Sequence, residues 1–341
     1  MFNLAPGLRR SIVLRKRPTE APKPDDFAIH DDLIPEPEPG QVVTRTIWLS
    51  IDPYMRGRMN EAKSYAAPVQ LGDVMTGETI GEVIASKSPD FAPGDIVVGS
   101  RGWQTHSVTE ADQLAKLNRK GPPLSTYLGV LGMPGVTAYS GMKDIGQPKK
   151  GETVVITAAS GAVGSVAGQI AKREGARVVG VAGGPEKCLF AQETLGFDEC
   201  IDYQASNIWS ALADACPNGI DVYFENVGGE TQHAAFSLLN TFSRVVMCGM
   251  VAQYNVRQVP PGPNLMFVVG KRVRIQGMIV SDKPERFAEW RALAAPWVLD
   301  GSLRHREHII DGLESAPGAL ADVLAGRNFG KMLIRVGPDP A

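Results

Sequence analysis

The residues best suited to chemistry lie in one run, Thr153 to Lys187. Its turn carries Ala158-x-x-Gly161-x-x-Gly164, with Ala162 and Val163 between the glycines. Small residues at that spacing let the backbone turn tightly and approach a pyrophosphate at a helix N-terminus, where unpaired N–H groups and the helix dipole favour anions. A glycine triplet alone is weak evidence. Here a β-branched run (Val154, Val155, Ile156) precedes it, a helix-like segment ending at Gly175 follows, and a second β-branched run spans Val178 to Val181. That strand–turn–helix–strand context is what a dinucleotide site requires. The competing reading is a tight βα turn with no ligand.

The end of the second strand bears on which dinucleotide. A carboxylate there would hold the ribose 2′-OH of NAD. This chain instead has Gly183, Gly184, Pro185, Glu186 and Lys187. A small residue followed by a lysine accepts a 2′-phosphate that a carboxylate would repel. The sequence therefore predicts NADP(H). Glu186 could take the ribose-holding role of an NAD site, but one residue after Pro185 it is taken as an outward-pointing carboxylate in the first turn of a helix. Lys187 is otherwise a solvated helix lysine.

The elements around this run must position it. After it, helix-like Glu186–Leu195, Asn207–Ala215 and Glu230–Leu239 alternate with strands near Cys200–Tyr203, Asp221–Glu225 and Arg244–Cys248. A Pro-rich loop, Val259–Pro263, precedes a strand at Arg272–Met278, and helix-like Arg286–Asp300 closes the series. Such alternation implies a parallel sheet with right-handed crossovers. Residues 1 to about 125 differ: short β-rich segments (Val42–Leu49, Gly81–Ser86, Asp95–Gly99) divided by turns predict a mostly antiparallel β domain. The boundary is expected near Val130. The tail, with strand-like Arg306–Ile310 and Lys331–Val336 around helix-like Ala316–Leu324, is expected to return to the first domain. The division is thus 1–130 with 301–341, and 131–300.

Composition excludes several classes. At 341 residues the chain can bury two cores, and its 43% apolar and 21% charged content is that of a globular protein. A net charge of −2 offers no general attraction to nucleic acid or anionic membrane. The uncharged stretch Thr153–Ala171 contains too many glycines and polar residues for a membrane span. Met1–Pro18 places charges around a short apolar run, so no signal peptide is expected. Four cysteines, Cys188, Cys200, Cys216 and Cys248, form no CxxC pair, which suits reduced thiols in the cytoplasm.

Metal chemistry is also disfavoured by the sequence. By fold-level analogy with alcohol dehydrogenases, a catalytic zinc would need a Gly-His-Glu segment. The comparable stretch is Thr76-Gly77-Glu78-Thr79, and no cysteine precedes Cys188. The five histidines, His30, His106, His233, His305 and His308, are scattered and read as surface or loop residues. Without a Lewis acid, hydride transfer from nicotinamide needs another electrophile. A carbon–carbon double bond conjugated to a carbonyl fits, with a hydrogen-bond donor for the resulting enolate. A phenol, with pKa near ~10, can serve.

Several segments together resemble a known family: Ser50–Met59, Leu131–Tyr139, the turn Ala158–Ser165, Tyr223–Gly229, Tyr254-Asn255, Pro261–Pro263 and Asn328–Lys331. The chain is similar, over nearly its whole length, to the zinc-free medium-chain dehydrogenases/reductases. These include prostaglandin and leukotriene B4 reductases, double-bond reductases of plants and, most similar, the curcumin reductases of bacteria. The resemblance implies an α/β fold, a Rossmann doubly wound parallel sheet plus a GroES-like mostly antiparallel β domain. It also implies a homodimer joined through the dinucleotide domains.

The resemblance further implies individual roles. Gly161, Ala162, Val163 and Gly164 would cradle the pyrophosphate. Lys187 and Tyr203 would meet the 2′-phosphate beside Gly183. Asn226 and the turn Cys248, Gly249, Met250, Val251 would flank the ribose and nicotinamide. The backbone of Met278, Ile279 and Val280 would hold the carboxamide, although Met278 stands where relatives often have Phe. Asn328 and Gly330 from the tail, with Met133 and Thr137 near the boundary, would complete the cofactor site. Tyr254 would donate to the enolate oxygen; alternatively it orders the ribose and the ribose hydroxyl donates. Tyr54, expected in a loop after Pro53, and Tyr65 are further catalytic candidates, each open to a packing role. Arg56 and Arg58 could pair with a carboxylated substrate or be solvated. The expected activity is NADPH-dependent reduction of an α,β-unsaturated ketone or aldehyde. A zinc-free quinone reductase and a non-catalytic NADPH-binding protein are the alternatives.

Overall fold

The computed structural model describes residues 7–339. Residues 1–6, on which the signal-peptide expectation partly rests, and residues 340–341 lie outside that range. The chain divides into two compact units, one running to Leu128 and resuming at Glu307, the other spanning Gly129–Arg306.

The first unit contains β1 (Leu8–Leu14), β2 (Phe27–Leu33), β3 (Gln41–Ser50), the short helix α1 (Tyr54–Arg58), β4 (Glu78–Ser86), β5 (Ile96–Ser100), β6 (His106–Glu110) and β7 (Ala115–Lys116). The second contains α2 (Met133–Ser140), β8 (Thr153–Thr157), α3 (Gly164–Arg173), β9 (Arg177–Ala182), α4 (Pro185–Leu189), β10 (Glu199–Asp202) and α5 (Ile208–Ala215). It continues with β11 (Ile220–Glu225), α6 (Gly229–Leu238), β12 (Leu239–Met247), α7 (Met266–Lys271), β13 (Arg274–Gly277) and α8 (Glu285–Leu299). The chain then returns to the first unit as β14 (Glu307–Asp311), α9 (Ala316–Leu324) and β15 (Lys331–Arg335).

The first unit is built around β3. Its first half pairs with β6, its last residues with β15, and its other edge with β4, all antiparallel. One core there gathers Leu49, Ile51, Met55, Met59, Trp103 and Met332, all at most 1% exposed. β1 and β2 form a separate hairpin-like pair that the sequence reading passed over, because charges at Arg9, Arg10, Asp31 and Asp32 mask the alternation. Tyr54 is a correction: it opens α1 and does not lie in a loop, since Pro53 supplies a helical φ of −58°.

The second unit is a parallel sheet in the order β10-β9-β8-β11-β12-β13. Counted from its own first strand this is 3-2-1-4-5-6, the Rossmann order, as the alternation and the resemblance predicted. β8 is buried at every residue, and its Val155 packs with Val179, Tyr223 and Val245 in one core. β12 begins five residues before the expected Arg244. Leu239–Ser243 is polar and kinked, with Phe242 at φ 63°, so it lacks the signature of a buried strand.

Candidate active site

Register brings the carboxyl ends of the parallel strands together. Ile156 pairs with Phe224, Glu225 with Met247, and Met247 with Gly277. The loops beginning at Ala158, Asn226, Cys248 and Met278 therefore leave the sheet side by side. β8 and β11 flank the point where strand order reverses, outside which ligands of such sheets bind.

The turn after β8 is shaped by backbone strain and close approach. Ala158 sits at φ 52°, a left-handed conformation costing an L-residue roughly 1–2 kcal/mol. Its carbonyl accepts the Gly161 N–H at 2.9 Å. A Cβ on Gly164 would lie 2.3 Å from that same oxygen, so only glycine lets α3 begin so close to the turn. The first N–H groups of any helix lack partners within it. The Gly161 N–H is spent on the Ala158 carbonyl and shapes the turn, which with Ala162, Val163 and Gly164 forms a backbone cradle that fits a pyrophosphate.

The β11 loop is fixed by Glu225, a buried carboxylate that the sequence reading did not single out. One oxygen accepts the Val227 and Gly228 N–H groups at 2.7 and 2.9 Å and the Thr157 hydroxyl at 3.1 Å. The other accepts the Tyr223 hydroxyl at 2.8 Å. Burial, with this carboxylate next to it, pushes the Tyr223 phenol well above its ordinary range. Asn226 is tied to the end of β8: its N–H donates to Thr157 Oγ1 at 2.7 Å and its side-chain amide to the Thr157 carbonyl at 2.8 Å.

The turn after β12 lies on this loop. Cys248 and Gly249 N–H groups donate to the Glu225 carbonyl, and the Val251 N–H to the Asn226 carbonyl at 3.1 Å. Tyr254, half-buried, closes the turn, and its hydroxyl would be 3.3 Å from a Cβ on Gly249. A hollow of about 470 Å³ opens here, and Cys248, Gly249, Met250, Tyr254, Met278, Ile279 and Asp282 are among the residues that line it. Its walls are mainly apolar. Burial, then the Glu225 charge, push the Cys248 thiol up to about 12. Met278 is held by its N–H to the Met247 carbonyl at 3.3 Å, and Val280 begins a single 3₁₀ turn.

At the far end of the sheet, Ala182 pairs with Asp202, so Gly183 and Tyr203 emerge together. A Cβ on Gly183 would meet the Tyr203 ring at 2.9 Å and Gln204 Nε2 at 2.9 Å. Lys187 stands in α4, and burial lowers its pKa against the opposing pull of Glu186. Asp202 does not face the glycine turn as a free carboxylate, because it accepts the Gly184 N–H at 2.8 Å and the Gln204 N–H at 3.0 Å. Another hollow, about 530 Å³, lies between α4, β10 and α5 beside Cys188, Cys200 and Asp214; it holds none of the expected site residues. In α2, Thr137 donates its hydroxyl to the Met133 carbonyl at 2.7 Å.

In the first unit, Tyr54 is half-buried, and burial followed by the charges of Asp52 and Glu78 pushes its phenol well above the ordinary range. The Arg58 guanidinium lies over the Tyr54 and Tyr65 rings, at 5.7 and 5.1 Å from their centroids. Tyr65 itself is 58% exposed. Arg56 is neither solvated nor available to a substrate carboxylate. It is buried, and donates to the Glu20 and Pro18 carbonyls and to Asn60 Oδ1 at 3.1, 3.0 and 2.6 Å. Asn328 donates its amide to the Gly330 carbonyl at 2.7 Å, and Gly330 has φ 82°.

Comparison with known proteins agrees with this architecture. The family model described as the N-terminal domain of oxidoreductase matches residues 10–117, and that described as zinc-binding dehydrogenase matches 162–299. Among the described residues, no group of three or more His, Cys, Asp or Glu is placed to hold a metal ion. The chain is 48% identical over 336 residues to the NADPH-dependent curcumin reductase of Escherichia coli (strain K12), covering 97% of each chain. It is 39% identical over 333 residues to the NADP(+)-dependent 2-alkenal reductase of Nicotiana tabacum, covering 96% of this chain and 97% of that one. The structure of CurA from Vibrio vulnificus in complex with NADPH matches with a TM-score of 0.92 at 46% identity, over 97% of this chain and 100% of that one. With identity of this level over nearly its full length, the chain belongs to the zinc-free medium-chain dehydrogenase/reductase family, in the group of prostaglandin, alkenal and curcumin reductases.

Proposed function

We propose that the protein is an NADPH-dependent reductase of the carbon–carbon double bond in α,β-unsaturated ketones and aldehydes. The observation that carries this reading is the hollow beside Gly249, where one phenol, Tyr254, stands among mainly apolar walls at the ends of β12 and β13. That chemistry suits a planar apolar alkene whose single oxygen must be held. When bound, NADPH supplies hydride to the β-carbon. Tyr254 donates to the substrate oxygen as enolate charge develops, with or in place of the nicotinamide ribose hydroxyl, and a proton from solvent at the α-carbon completes the saturated carbonyl product. Tyr54 and Tyr65 are the further candidates for substrate contact. Cys248 stays a thiol at neutral pH and so does not add to the electrophilic alkene, because the thiolate is the nucleophile.

For the cofactor, the reading assigns the pyrophosphate to Gly161, Ala162, Val163 and Gly164, and the 2′-phosphate to Lys187 and Tyr203 beside Gly183. Asn226, Cys248–Val251 and the backbone of Met278–Val280 take the nicotinamide end, with Met133, Thr137, Asn328 and Gly330 as further contacts. The cofactor role falls to residues 131–300 and the substrate role to 1–130 with 301–341. The named cofactors of the curcumin and 2-alkenal reductases support NADP(H) as the dinucleotide.

Assembly as a homodimer is supported by the outer edge of β13, whose four residues, Ile275 among them, are all exposed, and by exposed Met266 and Val269 of α7. Among the described residues no helix is long and apolar enough to cross a membrane. The four free cysteines support a cytoplasmic location. The deciding assay follows NADPH absorbance with a phenyl-substituted enone, a simple quinone and no acceptor. Oxidation with the enone is expected; turnover with the quinone alone would reject the reading.

A further inference from the structure

Beneath the segment carrying Tyr54 lies a charge pair with no part in the chemistry above. Asp52 and Lys331 are each 4% exposed. Lys331 Nζ donates to Asp52 Oδ1 at 2.9 Å, to the Ile51 carbonyl at 2.7 Å and to the Met332 carbonyl at 3.0 Å, which uses all three of its protons. The other Asp52 oxygen accepts the Ser50 hydroxyl. The pair joins the end of β3 to the start of β15, strands that already share a ladder with Leu333 opposite Ser50.

Each partner stands next to a candidate site residue. The Asp52 carbonyl accepts the Met55 N–H at 3.2 Å and so opens α1, whose first residue is Tyr54. Lys331 directly follows the Asn328–Gly330 turn, which the Asn328 amide closes.

We propose that Asp52 and Lys331 are positioning residues for double-bond reduction, orienting Tyr54 on the substrate side and Asn328 on the cofactor side through one buried contact. This rests on the proposed function. Stability alone does not call for charges here, because apolar pairs of similar volume often replace buried ion pairs without loss. Met55, Met59 and Met332 already anchor the two segments in a common core. Packed apolar groups fix depth, whereas charge-assisted hydrogen bonds also fix direction. Direction matters at a reacting centre, where a misplacement of about 1 Å can cost about a hundredfold in rate.

The test compares wild-type protein with Asp52→Leu/Lys331→Met, which swaps the pair for apolar residues, and with Asp52→Asn, which removes one charge and keeps an acceptor for Lys331. Thermal midpoint, NADPH dissociation constant, and kcat and KM for an enone are measured on the full chain, well below the midpoint. The double variant is expected to stay folded with a midpoint near that of wild type, while kcat/KM falls at least about tenfold and NADPH binds more weakly. If it does not fold, Asp52→Asn is read by the same kinetic criteria. A merely structural pair would lower the midpoint and leave the rate per folded molecule unchanged. Either folded variant with wild-type kcat/KM and NADPH affinity overturns the proposal. A wild-type protein that binds NADPH yet reduces no enone rejects the double-bond reading instead, and the pair is then judged on NADPH affinity alone.

Discussion

Replacing Gly164 with alanine probes the phosphate cradle directly. The new Cβ would lie 2.3 Å from the Ala158 carbonyl oxygen, 2.9 Å from its carbon and 3.2 Å from Ala159 Cα. All three are main-chain atoms, so no rotamer change relieves the overlap, and contact near ~3.5 Å requires a separation of about 1 Å. The turn is poorly placed to yield. Ala158 is already at φ 52°, and its carbonyl holds the Gly161 N–H at 2.9 Å. The displacement therefore falls on α3.

Overpacking of this kind costs about 1–3 kcal/mol. For a domain the size of Gly129–Arg306, each kcal/mol lowers the midpoint by about 2–4 °C, so a fall of about 2–12 °C is expected by calorimetry. The ligand is affected as well. A hydrogen bond to a charged group contributes about 1.5–3 kcal/mol, and losing one aligned N–H raises the NADPH Kd by about ten- to a hundredfold. Fluorescence titration measures this. Gly161→Ala is the internal control: its Cβ would lie 3.1 Å from the same oxygen and needs only a few tenths of an ångström. A larger effect for Gly161→Ala, or wild-type affinity in Gly164→Ala, would refute the cradle.

Three further outcomes are expected. Lys187→Ala should weaken NADPH by about tenfold or more, the scale of one charge-assisted hydrogen bond, and leave NADH nearly unchanged; equal weakening in titrations of both would contradict the 2′-phosphate assignment. Tyr254→Phe should lower kcat for an enone by about a hundredfold if it is the main oxyanion donor, with little change in NADPH affinity, and an unchanged kcat would leave that role to the ribose hydroxyl. Arg244 forks onto Glu152 at 2.9 and 2.6 Å. Burial opposes ionisation of Glu152, but the Arg244 fork and the Lys149 N–H outweigh it and hold its carboxyl below the ordinary range. A lowered folded pKa stabilises the protein above the unfolded value, and the contribution disappears as pH falls through the folded one. Arg244→Met should therefore be destabilised at pH 7 by about 1–3 kcal/mol. Its deficit should shrink once pH drops below about 4.3, leaving the part due to its bonds with the Gly146 and Gln147 carbonyls. A pH-independent deficit in calorimetry would rule out this assignment.

The parallel sheet was legible because burial on both faces makes its strands β-branched runs, as in Val154–Ile156 and Val178–Val181. Two kinds of feature were not. β1, β2 and the first half of β12 carry polar residues because they lie at edges or bends, so pattern alone does not separate them from loops. Contacts between distant positions are the other kind. Asp52 and Lys331 stand 279 positions apart, and nothing near either residue announces the other. Arg56 reads as a surface arginine for the same reason, since the carbonyls it satisfies, at Pro18 and Glu20, belong to a different stretch.

Glu225 links these two levels of description. It ends a buried strand, where a carboxylate has no place by hydrophobic pattern, yet it is 0% exposed. Such a charge survives burial only if its lone pairs are filled, and two N–H groups and two hydroxyls fill them. Those donors come from β8, from β11 and from the turn beyond, so satisfying the charge also fixes where Asn226 and the Cys248 turn begin. The same charge disfavours a second anion beside it, which helps keep Cys248 protonated next to the hollow. A neutral residue at this position would leave the Val227 and Gly228 N–H groups facing a weaker acceptor and would remove that restraint on the thiol. One buried carboxylate thus aligns the loops that leave β11 and β12 and, after burial itself, adds to the upward shift of the adjoining thiol.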